Sequence, residues 1–303
     1  QLVDDLRQAD AAGVYDEQTM IEALENLNVE RLEAYRDDFW ISARAEALVY
    51  GNHDLSAAQA LSAALDTALT EAGGETALAP TVLKVLPEQK LQLATAIDHN
   101  DAVVRWYLQG EGADLVDRAQ VALTAQIVQS GFFQQLRTEQ QLGYVVSSFP
   151  WSQYDVPALV LMIQSPSHSA AAVTDAMNAF LHDTPEQIDE EQFLRHRAAL
   201  VKEILNPDKN LGERAEFYWQ AIASRKWSFD TPQQLASAVQ AIDYAAWEAS
   251  YRRLFIDNRR SLLAFSPGAQ GDVPPADSTV TRFADPAELR SDASTYQIDL
   301  APL

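Results

Sequence analysis

The chain has 303 residues, of which 47% are hydrophobic, so it can build one large domain or two ordinary domains with packed cores. Its 44 acidic residues against 22 basic ones give a net charge of −22, which argues against a nucleic-acid-binding surface because phosphate would be repelled. The lack of cysteine excludes disulfides, thiolate nucleophiles and cysteine-based metal sites.

The first forty residues show helical spacing. Met20, Leu24 and Leu27 are followed by an apolar series that includes Val29 and Leu32, and both series have the spacing of a helix face. Residues 45–50, AEALVY, then predict a buried strand that ends in a glycine turn. A single strand cannot make a sheet by itself.

A helix and a linker follow the predicted strand. Ser56 and Gln59 have the spacing of a capping box, which predicts a helix from there to about Thr70. Residues 71–80, EAGGETALAP, combine a glycine pair with a proline and predict a linker. We therefore place a domain boundary near residue 80.

The second region begins with strand patterns. Leu91, Leu93 and Thr95 alternate with polar residues as in a half-buried strand that continues to residue 97, and VVRWYL at 103–108 is its predicted hairpin partner across the polar turn DHND. After Asp114, apolar residues recur at helical spacing and predict one buried helix face. That face consists of Val116, Ala119, Leu123 and Ile127.

Residues 131–150, GFFQQLRTEQQLGYVVSSFP, join this helix to a strand over 144–149, and a further strand is predicted over 156–163. Beyond Pro166 the pattern is helical, and the last strand is expected at 261–265 before an extended tail from Pro267. The predicted helices cover 170–181, 190–205 after a cap at Asp189, 213–226, a stretch from Thr231, and 243–255. The pattern indicates an α+β fold with layers of helices on a largely antiparallel sheet.

Most motifs of catalytic chemistry are absent. The histidines at 53, 99, 168, 182 and 196 show neither H-E-x-x-H nor H-x-x-E-H spacing, so a metal site is not expected in this chain. No serine lies in a G-x-S-x-G turn. The acidic run Asp189-Glu190-Glu191 is interpreted as a helix N-cap with favourable charge rather than a catalytic cluster.

The join at 131–150 carries two residues with open interpretations. Arg137 can cap the end of its helix, and Tyr144 can pack at the start of a strand. Alternatively, the guanidinium and the phenol both supply hydrogen-bond donors to a ligand. Spacing alone does not decide between these hypotheses.

The string LRTEQQLGYVV closely resembles the LRT-x-x-QLGY-[IV]-V motif in the C-terminal half of the pitrilysin and insulin-degrading-enzyme family of zinc metallopeptidases. The segments VERLEAYRDDFWISARAEALVYGN, LVLMIQS, RAEFYWQAI and WSFD also resemble family segments in order and spacing. The resemblance covers most of residues 25–265.

The resemblance implies a fold of metallopeptidase domains like those of LuxS and the processing peptidases, in an enzyme of four homologous domains that close around a peptide chamber. Residues 1–80 would be the C-terminal part of the third, inactive domain. Residues 81–270 would be the fourth, inactive domain, and 271–303 an extended tail. The chain is then expected to be a C-terminal fragment of a longer protein.

The resemblance also implies how the chain acts. The family's zinc site lies in the N-terminal half, so this chain is expected to hold no catalytic residue and no metal, and to be inactive alone. Arg137 and Tyr144 would bind the substrate near the scissile bond. The implied partners are the N-terminal catalytic half and peptide substrates, with neither nucleic acid nor membrane involved.

Two further expectations come with the family. Bacterial relatives suggest a periplasmic location, with the cytoplasm as the alternative. Some relatives have lost the zinc motif, so a catalytically dead scaffold or binding subunit is the alternative function.

Overall fold

The structure is a computed structural model that describes residues 17–42, 45–72, 81–84, 86, 88, 90–95, 97–153, 155–284, 288–289 and 295–298. Contacts divide the described chain into two compact units. Residues 17–72 and 207–229 belong to one, and 82–206 and 230–298 to the other. These units group residues by their contacts, whereas the predicted domains 1–80, 81–270 and 271–303 rest on the family resemblance. The domain assignment therefore stays a prediction.

The smaller unit is helical. It contains α1 (Glu17–Glu25), α2 (Val29–Ser42) and α3 (Leu55–Ala72), as their spacing predicted. A later helix of the same unit is α7 (Leu211–Ala223), whose N-cap Asn210 accepts a hydrogen bond from the Glu213 backbone N–H. An ion pair between Arg225 and Glu46 connects the two stretches of chain within this unit.

Two details of this unit differ from the sequence-based predictions. Residues 45–50 form no strand within the described structure, because no described strand pairs with them. The N-cap of α3 is Asp54, whose Oδ1 accepts from the Ala57 N–H at 2.8 Å, so the helix begins before Ser56. Residues 73–80 of the predicted linker lie outside the described residues.

The apolar faces of α1 and α2 are exposed rather than packed. Met20, Leu24, Leu27, Val29 and Leu32 are all largely accessible to solvent. The helical spacing was therefore predicted correctly, but the structure places no described element over these side chains.

The larger unit contains a six-stranded sheet. Its strands, in the order in which they lie across the sheet, are β4 (Val145–Pro150), β5 (Ala158–Ser165), β3 (Ala102–Gln109), β6 (Arg260–Ser266), β2 (Lys90–Ala94) and β7 (Val280–Phe283). β1 (Thr81–Lys84) pairs with β8 (Thr295–Ile298) in a separate two-stranded sheet. The α+β prediction is confirmed.

The pairing of the strands corrects the predicted hairpin. β2 and β3 do not pair, because β6 lies between them and pairs with both. β2 runs parallel to β6 and β7, whereas β3, β4, β5 and β6 are joined by antiparallel pairings, so the sheet is mixed. The strand at 261–265 is internal to the sheet, and it is not the last strand along the chain, because β7 follows it within the tail that was predicted to be extended.

Helices cover one face of this sheet. They are α4 (Leu115–Phe132), α5 (Ala170–Gln187), α6 (Glu190–Ile204), α8 (Thr231–Ala241) and α9 (Tyr244–Arg252). The cap of α6 is a complete capping box, in which Asp189 and Gln192 bond each other's backbone N–H groups. The predicted N-cap interpretation of the acidic run is confirmed.

The sheet separates two apolar clusters. Alternate residues such as Trp106 and Leu263 pack under the helices, around the fully buried Trp247. Tyr107 and Leu262 point to the opposite face and pack with Leu86 and Phe283 among others. Of the predicted helix face, Ala119, Leu123 and Ile127 are buried, but Val116 in the first turn of α4 is 59% exposed.

Candidate functional site

The candidate site lies where α4 gives way to β4. α4 begins at Asp114, whose carboxylate accepts hydrogen bonds from the N–H groups of Val116 and Asp117. The helix is held against the sheet by buried apolar side chains up to Phe132. Its C-terminal end is thereby fixed beside the edge strand β4.

The chain then changes from an α-helix to a π-helix over Phe133–Glu139. The Gln140 N–H donates to the Gln135 carbonyl at 2.9 Å, the spacing of five residues that defines this helix type. Leu136 is fully buried and anchors the segment, whereas Arg137 in its last turn is half-buried. Short π-helical segments are frequent at functional sites, because they turn a side chain away from the regular helix face.

Two residues determine the backbone of the turn that follows, Gln141 through its conformation and Gly143 through its lack of a side chain. Gln141 adopts the left-handed conformation, with φ of 54°. Gly143 has no positive φ, but a Cβ there would lie 2.1 Å from the Gln164 carbonyl oxygen. Glycine is needed at 143 because the backbones of β5 and this turn approach so closely.

Tyr144 leaves this turn with its ring 53% exposed. Its hydroxyl donates to Asp101 Oδ2 at 2.9 Å, and the Gln164 Nε2 donates to the same carboxylate oxygen at 2.9 Å. Gln164 Nε2 also donates to the Tyr144 hydroxyl oxygen. The pKa of Tyr144 is raised, first because its hydroxyl bonds to the Asp101 carboxylate and then through burial and the negative charge of Asp101.

Three neighbouring strands bring these side chains together. Val145 at the start of β4 pairs with Gln164 near the end of β5, and Ser165 pairs with Ala102 at the start of β3. Tyr144 and Asp101 each precede their strand by one residue and so meet at one end of the sheet.

Asp101 and Gln164 were not singled out by the sequence. Asp101 lies in the polar turn DHND, and Gln164 in a strand that is otherwise apolar. The informative signal is a glutamine in a buried strand pattern, but only the β3–β5–β4 pairing shows which residues it meets.

Arg137 has no comparable network. Within the residues that the structure describes, its side chain forms no recorded ion pair or hydrogen bond, although the chain carries 44 acidic residues. The predicted alternative of a simple helix-capping arginine therefore has no contact to support it. The guanidinium keeps its donors available to a ligand.

The described residues do not fit a zinc site. No three or more His, Asp or Glu side chains among them lie close enough together to hold a metal ion. In the described part of the chain, no helix is both long and apolar enough to cross a membrane.

Comparison with known families gives one partial match. Residues 123–219 match the family model for the C-terminal lobe domain 4 of PQQ synthase PqqF-like proteins. This stretch includes the π-helical segment, Arg137 and Tyr144.

Curated relatives match more of the chain. The chain is 28% identical to human insulin-degrading enzyme over 219 residues, which are 69% of this chain and 21% of that protein. It is 27% identical to protease 3 of Salmonella typhi over 224 residues, which are 72% of this chain and 23% of that protein. The chain thus spans about a quarter of the length of these relatives.

Solved structures share the fold. A crystal structure of pitrilysin superposes with a TM-score of 0.85 at 18% identity, over 97% of this chain and 32% of that chain. A peptidase M16 inactive domain from Pseudomonas fluorescens superposes with a TM-score of 0.58 at 14% identity, over 82% of this chain and 60% of that chain.

Proposed function

We propose that this chain, which is related in sequence to insulin-degrading enzyme and protease 3 and shares the fold of pitrilysin, is the non-catalytic C-terminal half of a zinc-dependent endopeptidase that degrades oligopeptides. In this proposal it forms half of a closed substrate chamber. It donates hydrogen bonds from Arg137 and Tyr144 to the substrate near the scissile bond.

The guanidinium of Arg137, for which the described part of the chain provides no ion pair, carries this proposal. A buried or half-buried arginine in an acidic protein normally finds a carboxylate, and the described structure records none here. The Arg137 guanidinium and the Tyr144 hydroxyl, which can turn from Asp101 to a ligand, both lie on the connection between α4 and β4. Such donors suit a peptide carbonyl, and they stabilise the negative charge that develops on its oxygen during hydrolysis.

The metal and the general base belong, in this proposal, to the N-terminal half of the parent protein. A zinc ion there supplies Lewis-acid activation of the carbonyl and of water when it is bound. The residues of this chain bind and orient the peptide. We therefore expect no peptide hydrolysis by the chain alone, and periplasmic location remains our prediction for the parent.

The experiment measures peptide hydrolysis by the full-length protein carrying Arg137→Ala or Tyr144→Phe. Each change removes a donor to the developing charge, so we expect kcat/KM to fall by about 100-fold, corresponding to ~3 kcal/mol of transition-state stabilisation. A mid-sized peptide is the substrate, because the proposed chamber holds oligopeptides.

Two variants serve as controls. Arg195→Ala removes an exposed arginine that pairs with Glu191 on α6, and Tyr50→Phe removes the hydroxyl of an exposed tyrosine that lies outside α1 and α2. Both are expected to leave kcat/KM unchanged. If Arg137→Ala and Tyr144→Phe behave like these controls, the proposed role of the turn is wrong.

A further inference from the structure

The carboxylate of Asp101 accepts hydrogen bonds from both Tyr144 and Gln164. Its side chain is only 13% exposed. One of its oxygens accepts from both the Tyr144 hydroxyl and the Gln164 amide, at 2.9 Å each.

We infer that Asp101 and Gln164 are positioning residues that hold the Tyr144 hydroxyl in place for the substrate. The inference rests on the proposed function, because it concerns the same site. It adds Gln164 of β5 and Asp101, the residue before β3, to the connection that carries Arg137 and Tyr144.

An exposed tyrosine without partners would sample several side-chain rotamers, and its donor would point at the substrate only part of the time. Here the phenol oxygen is held between a charged acceptor and an amide donor. Hydrogen bonds to a charged group are stronger than neutral ones, so the arrangement restricts the ring before substrate arrives.

The hydroxyl has a single proton, and in the free protein it donates a hydrogen bond through that proton to Asp101. The hydroxyl can turn about its C–O bond towards a substrate carbonyl while the Gln164 amide keeps donating to the phenol oxygen. Donation into that oxygen makes the hydroxyl a better donor, because consecutive hydrogen bonds polarise one another. Asp101 in turn fixes the orientation of the Gln164 amide.

The turn before β3 fixes Asp101 itself. The Asp101 backbone N–H donates to His99 Nδ1 at 3.0 Å. The second carboxylate oxygen of Asp101 lies 3.9 Å from the same nitrogen. Asp101 and the neighbouring His99 are therefore the titratable groups recorded around the Tyr144 hydroxyl in the described structure.

The test uses the full-length protein with Asp101→Ala, Asp101→Asn and Gln164→Met. We expect Asp101→Ala and Gln164→Met to lower kcat/KM about tenfold, mainly through kcat, because each removes hydrogen bonds that orient Tyr144. Asp101→Asn should keep most of the activity, since the asparagine oxygen can accept both bonds now made to one carboxylate oxygen. The matched control is Asp98→Ala, which removes an exposed acidic residue in the same turn and should leave kcat/KM unchanged.

A second readout separates positioning from general damage to the fold. In protein labelled with 13C at the tyrosine ζ carbon, NMR titration should give a lower Tyr144 pKa in both Asp101→Ala and Asp101→Asn, because the carboxylate that raises it is gone. In a Tyr144→Phe background, Asp101→Ala should cause no further loss of kcat/KM.

The outcomes are distinct. If Tyr144→Phe is impaired but Asp101→Ala and Gln164→Met are not, the proposed function stands and this inference is overturned. Equal losses from Asp101→Ala with and without Tyr144 overturn it as well, as does an unchanged Tyr144 pKa in the Asp101→Asn variant. If Tyr144→Phe itself keeps full activity, the proposed function fails and the positioning role fails with it.

Discussion

At the scale of single residues, the site is defined by what Arg137 and Tyr144 do and do not contact. Tyr144 is held by two side chains, whereas no described partner holds Arg137. The two residue types were recognisable in the sequence, but their environments were not. Asp101 and Gln164 lie far from Tyr144 along the chain, and no local pattern connects them.

Gly143 offers a direct test of the backbone geometry. The change Gly143→Ala should lower the free energy of unfolding by about 1–3 kcal/mol, because the new Cβ meets the rigid backbone carbonyl of Gln164. It should also reduce kcat/KM, since relief of the clash moves Tyr144. Urea unfolding and peptide hydrolysis by the full-length protein measure the two effects.

Gly112→Ala is the control for this prediction. Its Cβ would have its nearest contact with Asp114 Oδ2, at an ordinary 3.9 Å, and its backbone has no positive φ. We expect little change in stability. Equal unfolding curves for Gly143→Ala and Gly112→Ala would show that the turn is looser than the structure indicates.

At the scale of elements, local patterns predicted most helices and strands, because caps and periodicity are local properties. The helix after Asp189 and the strands β4 and β5 are examples. The order of the strands was not predictable in this way. β6 inserts between β2 and β3 through contacts with residues distant in the chain, and the hairpin prediction was wrong for that reason.

The π-helical segment was also invisible to periodicity. The apolar spacing of α4 continues to Phe132, and nothing in FQQLRTE marks the change from an α-helix to a π-helix. The hydrogen bond from Gln140 to Gln135, five residues back, shows the change. Leu136 in this segment is fully buried, so tertiary packing rather than helix periodicity distinguishes it.

The cap of α6 gives a prediction at this scale. Asp189→Ala should lower the free energy of unfolding by about 1 kcal/mol, because the Gln192 N–H loses the acceptor that it now reaches at 2.7 Å. Glu191→Ala removes only an exposed ion pair with Arg195 and should cost about half as much or less. Urea unfolding of the two variants measures and compares these losses in the free energy of unfolding. If Glu191→Ala costs as much as Asp189→Ala, the acidic run acts through charge rather than capping.

At the scale of the whole molecule, the chain matches about a quarter of the length of its curated relatives and nearly all of it superposes on part of pitrilysin. The apolar side chains exposed along α1 and α2 are consistent with a surface that other parts of a larger protein cover. In the proposed function, this chain contributes part of a site whose reacting centre lies on another part of the parent protein.

The most direct measurement is a crystal structure of the full-length protein with a peptide trapped after removal of its metal. We expect the Arg137 guanidinium and the Tyr144 hydroxyl each to lie within about 2.7–3.2 Å of a peptide oxygen next to the bond to be cut. A peptide bound in the chamber with both side chains beyond hydrogen-bonding reach would contradict it.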